Sequence, residues 1–139
     1  MVVTDYCKKW VKYAKNDIRI AQTEMGAQVN PRHRAYEVVL YHCQQAAEKM
    51  LKAYLISQND NPWGHDLDNL RTDCAVFDSD FNGTRIISHC NYLNAFVAAR
   101  YPDFKMSVDA SNATRGLNSA MRVFDFVAVK LELPKAFFT

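Results

Sequence analysis

Residues 41–55, YHCQQAAEKMLKAYL, decide how the chain folds. Read at helical period together with their neighbours, residues 34–57 place Tyr36, Val39, Leu40, Cys43, Ala46, Ala47, Met50, Leu51, Tyr54 and Leu55 on one broad apolar sector. A stripe that wide needs packing partners on two sides, so this segment is expected to be the central helix. Its polar face carries Gln44, Gln45, Glu48, Lys49 and Lys52. Glu48 precedes Lys52 by one helical turn, the favourable order for an ion pair worth about 0.3–0.5 kcal/mol when exposed.

Outward from this helix, the same period recurs in both directions. Residues 5–25 align Tyr6, Trp10, Tyr13, Ala14, Asp17, Ile18, Ala21 and Met25, and Gly26 with the NPRH stretch at 30–33 ends that first helix. NDNPWGH (59–65) breaks the central helix, after which Asp66 is placed to cap a third helix bearing Leu67, Leu70, Cys74 and Phe77. DSDFNG (78–83) is a turn; a fourth helix with Ile86, Cys90, Leu93 and Val97 is expected to run until just before Pro102. The last helix, near 111–131, aligns Ala113, Leu117, Ala120, Met121, Phe124, Val127, Ala128 and Leu131. No segment alternates at strand period. The expectation is one all-α domain over residues 1–139, a five-helix antiparallel up-and-down bundle.

Composition agrees with a globular domain. Of 139 residues, 49% are apolar and 23% charged, and the net charge is +2, too small to announce nucleic acid by itself. The apolar runs are too short to span a membrane, and MVVTDYCKKW has no signal-peptide pattern. Cys7, Cys43, Cys74 and Cys90 form no CxxC pair, which reads as reduced, buried thiols in a cytoplasmic protein.

Several chemistries find no pattern here. The phosphate loop, the GxGxxG fingerprint and the HExxH metal helix are absent. Asp78–Ser79–Asp80 is better explained as a turn than as a metal-carboxylate element. His42–Cys43 and His89–Cys90 each pair two metal-ligand types, but adjacent helical residues point about 100° apart and cannot chelate one tetrahedral ion alone. No metal and no cofactor is expected. The basic stripe Lys8, Lys12, Lys15 and Arg19 reads first as a solvated outer face, with phosphate-backbone contact as the alternative.

HCQQAAEKMLKAYLI (42–56), GHDLDNL (64–70) and RYPDF (100–104), preceded by Trp10, Ala14, Asp17 and Ala21 on the first helix, resemble in that order the HEPN family (higher eukaryotes and prokaryotes nucleotide-binding). The resemblance covers essentially the whole chain. It implies a helical bundle that forms a two-fold homodimer, in many prokaryotic members paired with a small nucleotidyltransferase in a two-gene or toxin–antitoxin system. It also implies that some members bind nucleotides. Others are metal-independent ribonucleases that leave a 2′,3′-cyclic phosphate, using an arginine and a histidine separated by four to six residues. On this resemblance and on the polar face of the central helix, the nucleotide- or anion-binding candidates are Gln45, Lys49, Lys52, His65, Arg100 and Asp103.

The one arginine–histidine pair close to the nuclease pattern is Arg85 and His89, with three residues between them. That spacing misses the family motif, and one residue of slip turns a helical side chain by about 100°. Arg85 and His89 are therefore weak catalytic candidates, although on one helical face they lie about 6 Å apart at Cβ and can share an anion. If the fourth helix runs to Pro102, Phe96 and Arg100 continue the same stripe. That makes His89, Leu93 and Phe96 the candidate dimer face, with arginines flanking an anion-binding groove. Asp103 is placed to clamp Arg100 locally. Three functions follow in order of preference: a nucleotide- or anion-binding module partnered with a nucleotidyltransferase, a non-catalytic dimerisation scaffold, and a ribonuclease toxin acting on RNA through a displaced Arg85/His89 pair.

Overall fold

A computed structural model describes residues 1–137. Its helices are α1 (Asp5–Met25), α2 (Tyr36–Ser57), α3 (Leu67–Phe77), α4 (Thr84–Asn94) and α5 (Ala110–Lys130). Two single 3-10 turns, Pro31–His33 and Ser79–Asn82, interrupt the connections, and no strand occurs among the described residues. The chain is all-helical, as its periodicity requires.

Local chemistry sets the helix ends. The Thr4 side chain accepts from the Cys7 amide, Asp66 accepts from Asn69, and Asp109 forms a reciprocal capping box with Asn112. At the far end of α2, Asn59 takes a left-handed backbone (φ 61°), so that the Asp60 amide donates to Leu55 and the Asn59 amide to Ile56. Glu132 does the same after α5 (φ 60°), where the Leu133 amide donates to Ala128. That second turn sends residues 134–137 back along α5.

Helix α2 is the centre of the packing: α1 and α5 cover it on two sides, and α3 and α4 complete the shell. Helices α1 and α2 are antiparallel, since the Val2 amide donates to Ser57 at one end and the Ala35 amide to Glu24 Oε1 at the other. Helices α4 and α5 are also antiparallel, with His89 beside Ser119 and Tyr92 beside Asn112. Between them the direction does not alternate strictly. Residues 58–66 run back along α2 until the His65 carbonyl accepts from Gln44, and Cys74 Sγ then meets the Leu51 carbonyl. Helix α3 therefore runs parallel to α2, a consequence of a connection long enough to return.

All four cysteines are buried and outside any disulfide, and burial raises each thiol's pKa, that of Cys90 to about 12. They behave as small core residues. No group of three metal-ligating side chains gathers among the described residues. No described helix is long and apolar enough to cross a membrane.

Helix α4 is shorter than its sequence suggested. It ends at Asn94, and residues 95–104 continue as successive turns, Phe96 to Leu93, Ala99 to Phe96, Tyr101 to Ala98 and Phe104 to Tyr101. These turns fold Phe96 and Ala99 onto Leu40, with Tyr92, Phe104 and Val108 packed around them. Phe96 and Arg100 consequently leave the stripe of Arg85 and His89. Val97 and Phe77, expected on apolar stripes, are exposed instead.

Helix α5 comes very close to α2 at Gly116, where a Cβ would lie 2.5 Å from Cδ2 of the fully buried Leu40. Gly116→Leu should overpack this crossing and lower stability by about 1–3 kcal/mol. The urea-unfolding midpoint reads it; an unchanged midpoint would show that α2 and α5 do not approach this closely.

Candidate functional site

Two polar clusters have to be told apart, because only the second contains a cation, Arg85, for which no ion pair is found among the described residues. The first sits on α2. Asp17, buried on α1, receives His42 Nδ1 at 2.7 Å and Lys49 Nζ at 2.5 Å. Glu48, also buried, receives Lys52 Nζ at 3.2 Å and His65 Nδ1 at 3.0 Å. Gln44 donates to the His65 carbonyl at 3.1 Å and accepts from Gln45 at 2.8 Å.

This arrangement gives four of the expected ligand contacts partners within the chain. Lys52 is only 8% exposed and its charge is met by Glu48, so it is a buried partner and not a surface hook. Lys49 is held on Asp17, and Gln45 on Gln44. His65 is exposed, yet its ring and its carbonyl tie the returning connection to α2. Sequence alone could pair Glu48 with Lys52 as an exposed i,i+4 bridge; it could not show that the pair is buried. Removing one member of a buried pair strands the other's charge. Glu48→Ala, which leaves the buried Lys52 without its carboxylate and unties His65, should therefore cost about 3–5 kcal/mol, whereas Lys52→Met, which keeps the stem and leaves His65 on Glu48, should cost less. Chemical denaturation of the two variants separates them, and equal losses would contradict the assignment.

The remaining expected residues are scattered. Arg100 is exposed and stacks its guanidinium over Tyr41 at 4.3 Å and Tyr101 at 4.9 Å. It is this stacking, not an ion pair with Asp103, that holds it; Asp103 is exposed and joins no ion pair found among the described residues. Leu93 and Phe96 are fully buried inside their own protomer, so neither presents a dimer face. Of the three residues assigned to that face, only His89 reaches the surface.

The second cluster is a groove of about 350 Å³ between α4 and α5. Arg85 and His89 line it from α4, Arg122 and Lys130 from α5, and Lys135 from the segment that follows. Ile86, Phe126 and Val129 supply an apolar floor. Two carboxylates also border it, and both are engaged. Asp80 joins Asp78 in holding Lys130, at 2.5 and 2.8 Å, and this keeps the Asp78 carboxyl below its ordinary range. Asp125 accepts from the amides of Ala136 and Phe137, which brings Lys135 to the rim. Arg85 is exposed and enters no ion pair found among the described residues. It stands in the first turn of α4, whose N-cap, Gly83, offers no side chain to the free amides, so the helix end adds positive potential.

Helix α5 also positions the histidine. Ser119 Oγ, buried, pairs with His89 Nδ1 at 3.0 Å, which leaves Nε2 for the groove. Burial first, and then Arg122, Arg115 and Arg85, hold the pKa of His89 below its ordinary 6.5. The neutral ring is thus the resting form near pH 7. The α5 half of this site was missed in the sequence; its signal was the polar series Arg115, Ser119, Arg122 recurring within an otherwise apolar helix. Proton NMR should place the His89 midpoint below 6.5 and move it upward in Arg122→Gln. Because the folded pKa is depressed, the associated stability is complete above pH 6.5 and declines as pH falls through the folded midpoint. A midpoint at or above 6.5 would contradict the placement.

A helical domain with α2 at its centre, a returning α2–α3 connection and a basic α4–α5 groove is the class these features define. The sequence pattern of the HEPN domain matches residues 7–131, and the chain belongs to the HEPN family. Its fold is similar to that of the crystal structure of TT1696 from Thermus thermophilus. That match has a TM-score of 0.78 and 24% identity, covering 91% of this chain and 99% of that one. No curated protein matches it significantly.

Proposed function

We propose that this HEPN domain is a nucleotide- or anion-binding module whose phosphate site is the α4–α5 groove. In this reading it acts as a homodimer beside a minimal nucleotidyltransferase in a two-gene, toxin–antitoxin type of system. The observation that carries the phosphate site is the company of Arg85. It is an exposed guanidinium with no carboxylate partner found, next to a neutral histidine and above an apolar floor. The groove's formal balance favours an anion by one charge: Arg85, Arg122, Lys130 and Lys135 stand against Asp80 and Asp125 on the lining and Asp78, which shares Lys130. Guanidinium forks suit a phosphate's oxygens. With Leu93 and Phe96 buried, the homodimer in this reading uses the exposed side of α4, where Ser88 and Asn91 lie.

A second reading, metal-independent RNA cleavage, is favoured by one observation: His89 is held neutral, with Ser119 on Nδ1. In that reading Nε2 takes the proton of a ribose 2′-hydroxyl, whose oxygen bonds to the adjacent phosphorus as the P–O5′ bond breaks. The 5′-oxygen leaves with a proton from water, a 2′,3′-cyclic phosphate remains, and the arginines stabilise the charge on the phosphoryl oxygens.

Inorganic phosphate and adenosine nucleotides test the first reading directly. Bound anion should raise the His89 midpoint, raise the melting temperature, and bind more tightly as pH falls through that midpoint. Arg85→Ala should weaken binding by about tenfold or more, the scale of one charge-assisted contact. If no phosphate or nucleotide moves His89, the groove is not an anion site. In the second reading, RNA is cut in the presence of chelator and not by His89→Ala; wild-type protein inert on several RNAs would rule it out.

A further inference from the structure

Helix α1 turns an aromatic face outward. Tyr6, Trp10 and Tyr13 follow one another one turn apart, with Tyr6 60% and Tyr13 48% exposed and Trp10 half-buried. The Tyr6 and Trp10 rings meet edge to face, 6.3 Å between centroids at 88°, and form a corner. With Lys9 and Lys49 these three rings line a cleft of about 330 Å³. The buried Lys52 places its ammonium 5.8 Å from the Trp10 ring centre, a cation–π contact that favours this position of the indole.

The charges around this face are mainly positive, Asp5 in the first turn of α1 being the exposed carboxylate beside Tyr6. Between residues 8 and 19, the exposed charges of α1 are Lys8, Lys9, Lys12, Lys15 and Arg19. The one carboxylate in that span, Asp17, is buried and already shared by His42 and Lys49. None of the five cations joins an ion pair found among the described residues. Trp10 packs on the core, but packing does not explain the exposure of Tyr6 and Tyr13. At about 100° per residue Lys9 borders the rings and Lys12 follows it toward Tyr13, whereas Lys8, Lys15 and Arg19 lie on the far side of the helix.

Flat π-faces next to unpaired cations match one ligand chemistry, that of a single-stranded polynucleotide, whose bases stack while its phosphates meet lysines. From Tyr6 to Tyr13 the helix axis advances about 10 Å, the length of roughly three stacked nucleotides at about 3.4 Å each. We propose that the α1 face of Tyr6, Trp10 and Tyr13, with Lys9 and Lys12 beside it, is a stacking platform for single-stranded nucleic acid. It is a contact separate from the α4–α5 groove. The groove takes a phosphate; the platform takes bases without reading their sequence.

The protein carries its own reporter. It has two tryptophans, and Trp63→Phe, at an 87% exposed position, leaves Trp10 as the sole indole in the full chain. Titration of that variant with single-stranded oligo(A) at low salt should quench Trp10 emission saturably, and added salt should weaken the binding. Tyr6→Ala and Tyr13→Ala should each reduce affinity by about tenfold. Lys9→Gln with Lys12→Gln should flatten the salt dependence by about 0.7 for each phosphate no longer neutralised. Arg85→Ala should leave the quenching in place, which separates failure of the platform from failure of the groove. The proposal is overturned if oligo(A) does not quench Trp10 or if Tyr6→Ala/Tyr13→Ala binds unchanged. It is equally overturned if duplex RNA, whose bases are inaccessible, quenches as strongly, or if Arg85→Ala abolishes the effect. Circular dichroism confirms that each variant is folded, since all the altered side chains lie at or near the surface.

Discussion

Glu48 is the residue on which the arrangement of the bundle turns. A carboxylate in the middle of the central helix, almost fully buried, is costly unless its oxygens are occupied. One oxygen takes Lys52 and the other His65. The second contact reaches across the returning connection, and with the Gln44 bond to the His65 carbonyl it fixes where that connection ends. Asp66 then caps α3 immediately, and Asn94 Oδ1 accepts from the Leu67 amide. The direction of α3 follows from how one buried charge is satisfied. Asp17 plays the corresponding part between α1 and α2 by holding both His42 and Lys49.

These two acids also divide the protein's cations into two populations. Lys49 and Lys52 are held by Asp17 and Glu48, and Lys130 by Asp78 and Asp80. Arg85 on α4 and the lysines of α1 meet no such partner among the ion pairs found. A cation already paired in a low-dielectric setting gains little from a second anion and must shed solvent to meet it. An exposed, unpaired one keeps its full attraction for phosphate. Charge type along the sequence is thus a poor guide to binding, and charge pairing in space is the useful quantity.

That distinction also explains what the sequence could and could not disclose. The period-3.6 stripes and turn residues made α1, α2, α3 and α5 readable to within a residue or two, and Asp66 readable as a cap. Helix α4 was overextended because residues 95–101 contain no proline or glycine, so nothing local marks a stop. What ends the helix is tertiary: Phe96 gains more by entering the pocket over Leu40, against Tyr92 and Phe104, than by continuing a helix into solvent. The internal partners of the ligand candidates on α2 are hidden from the sequence for a related reason. Gln45, Lys49 and Lys52 are polar on a helical wheel, yet α1 and the returning connection cover that face, and no helical wheel shows coverage by a segment distant in sequence.

The arginine–histidine spacing gains a different meaning once α5 is in place. At about 100° per residue, a separation of four brings the two side chains back to within about 40° of one another, one turn apart. A separation of five leaves them about 140° apart, facing different neighbours. Arg85 and His89 therefore share a single face, and the groove they line is closed by Arg122 and floored by Phe126 from the same protomer. Ser119, also from α5, fixes the imidazole from behind. The geometry of this pair suits holding one anion inside one chain. The shared face, and not a match to any motif, is thus the physical reason to read the pair as one anion contact.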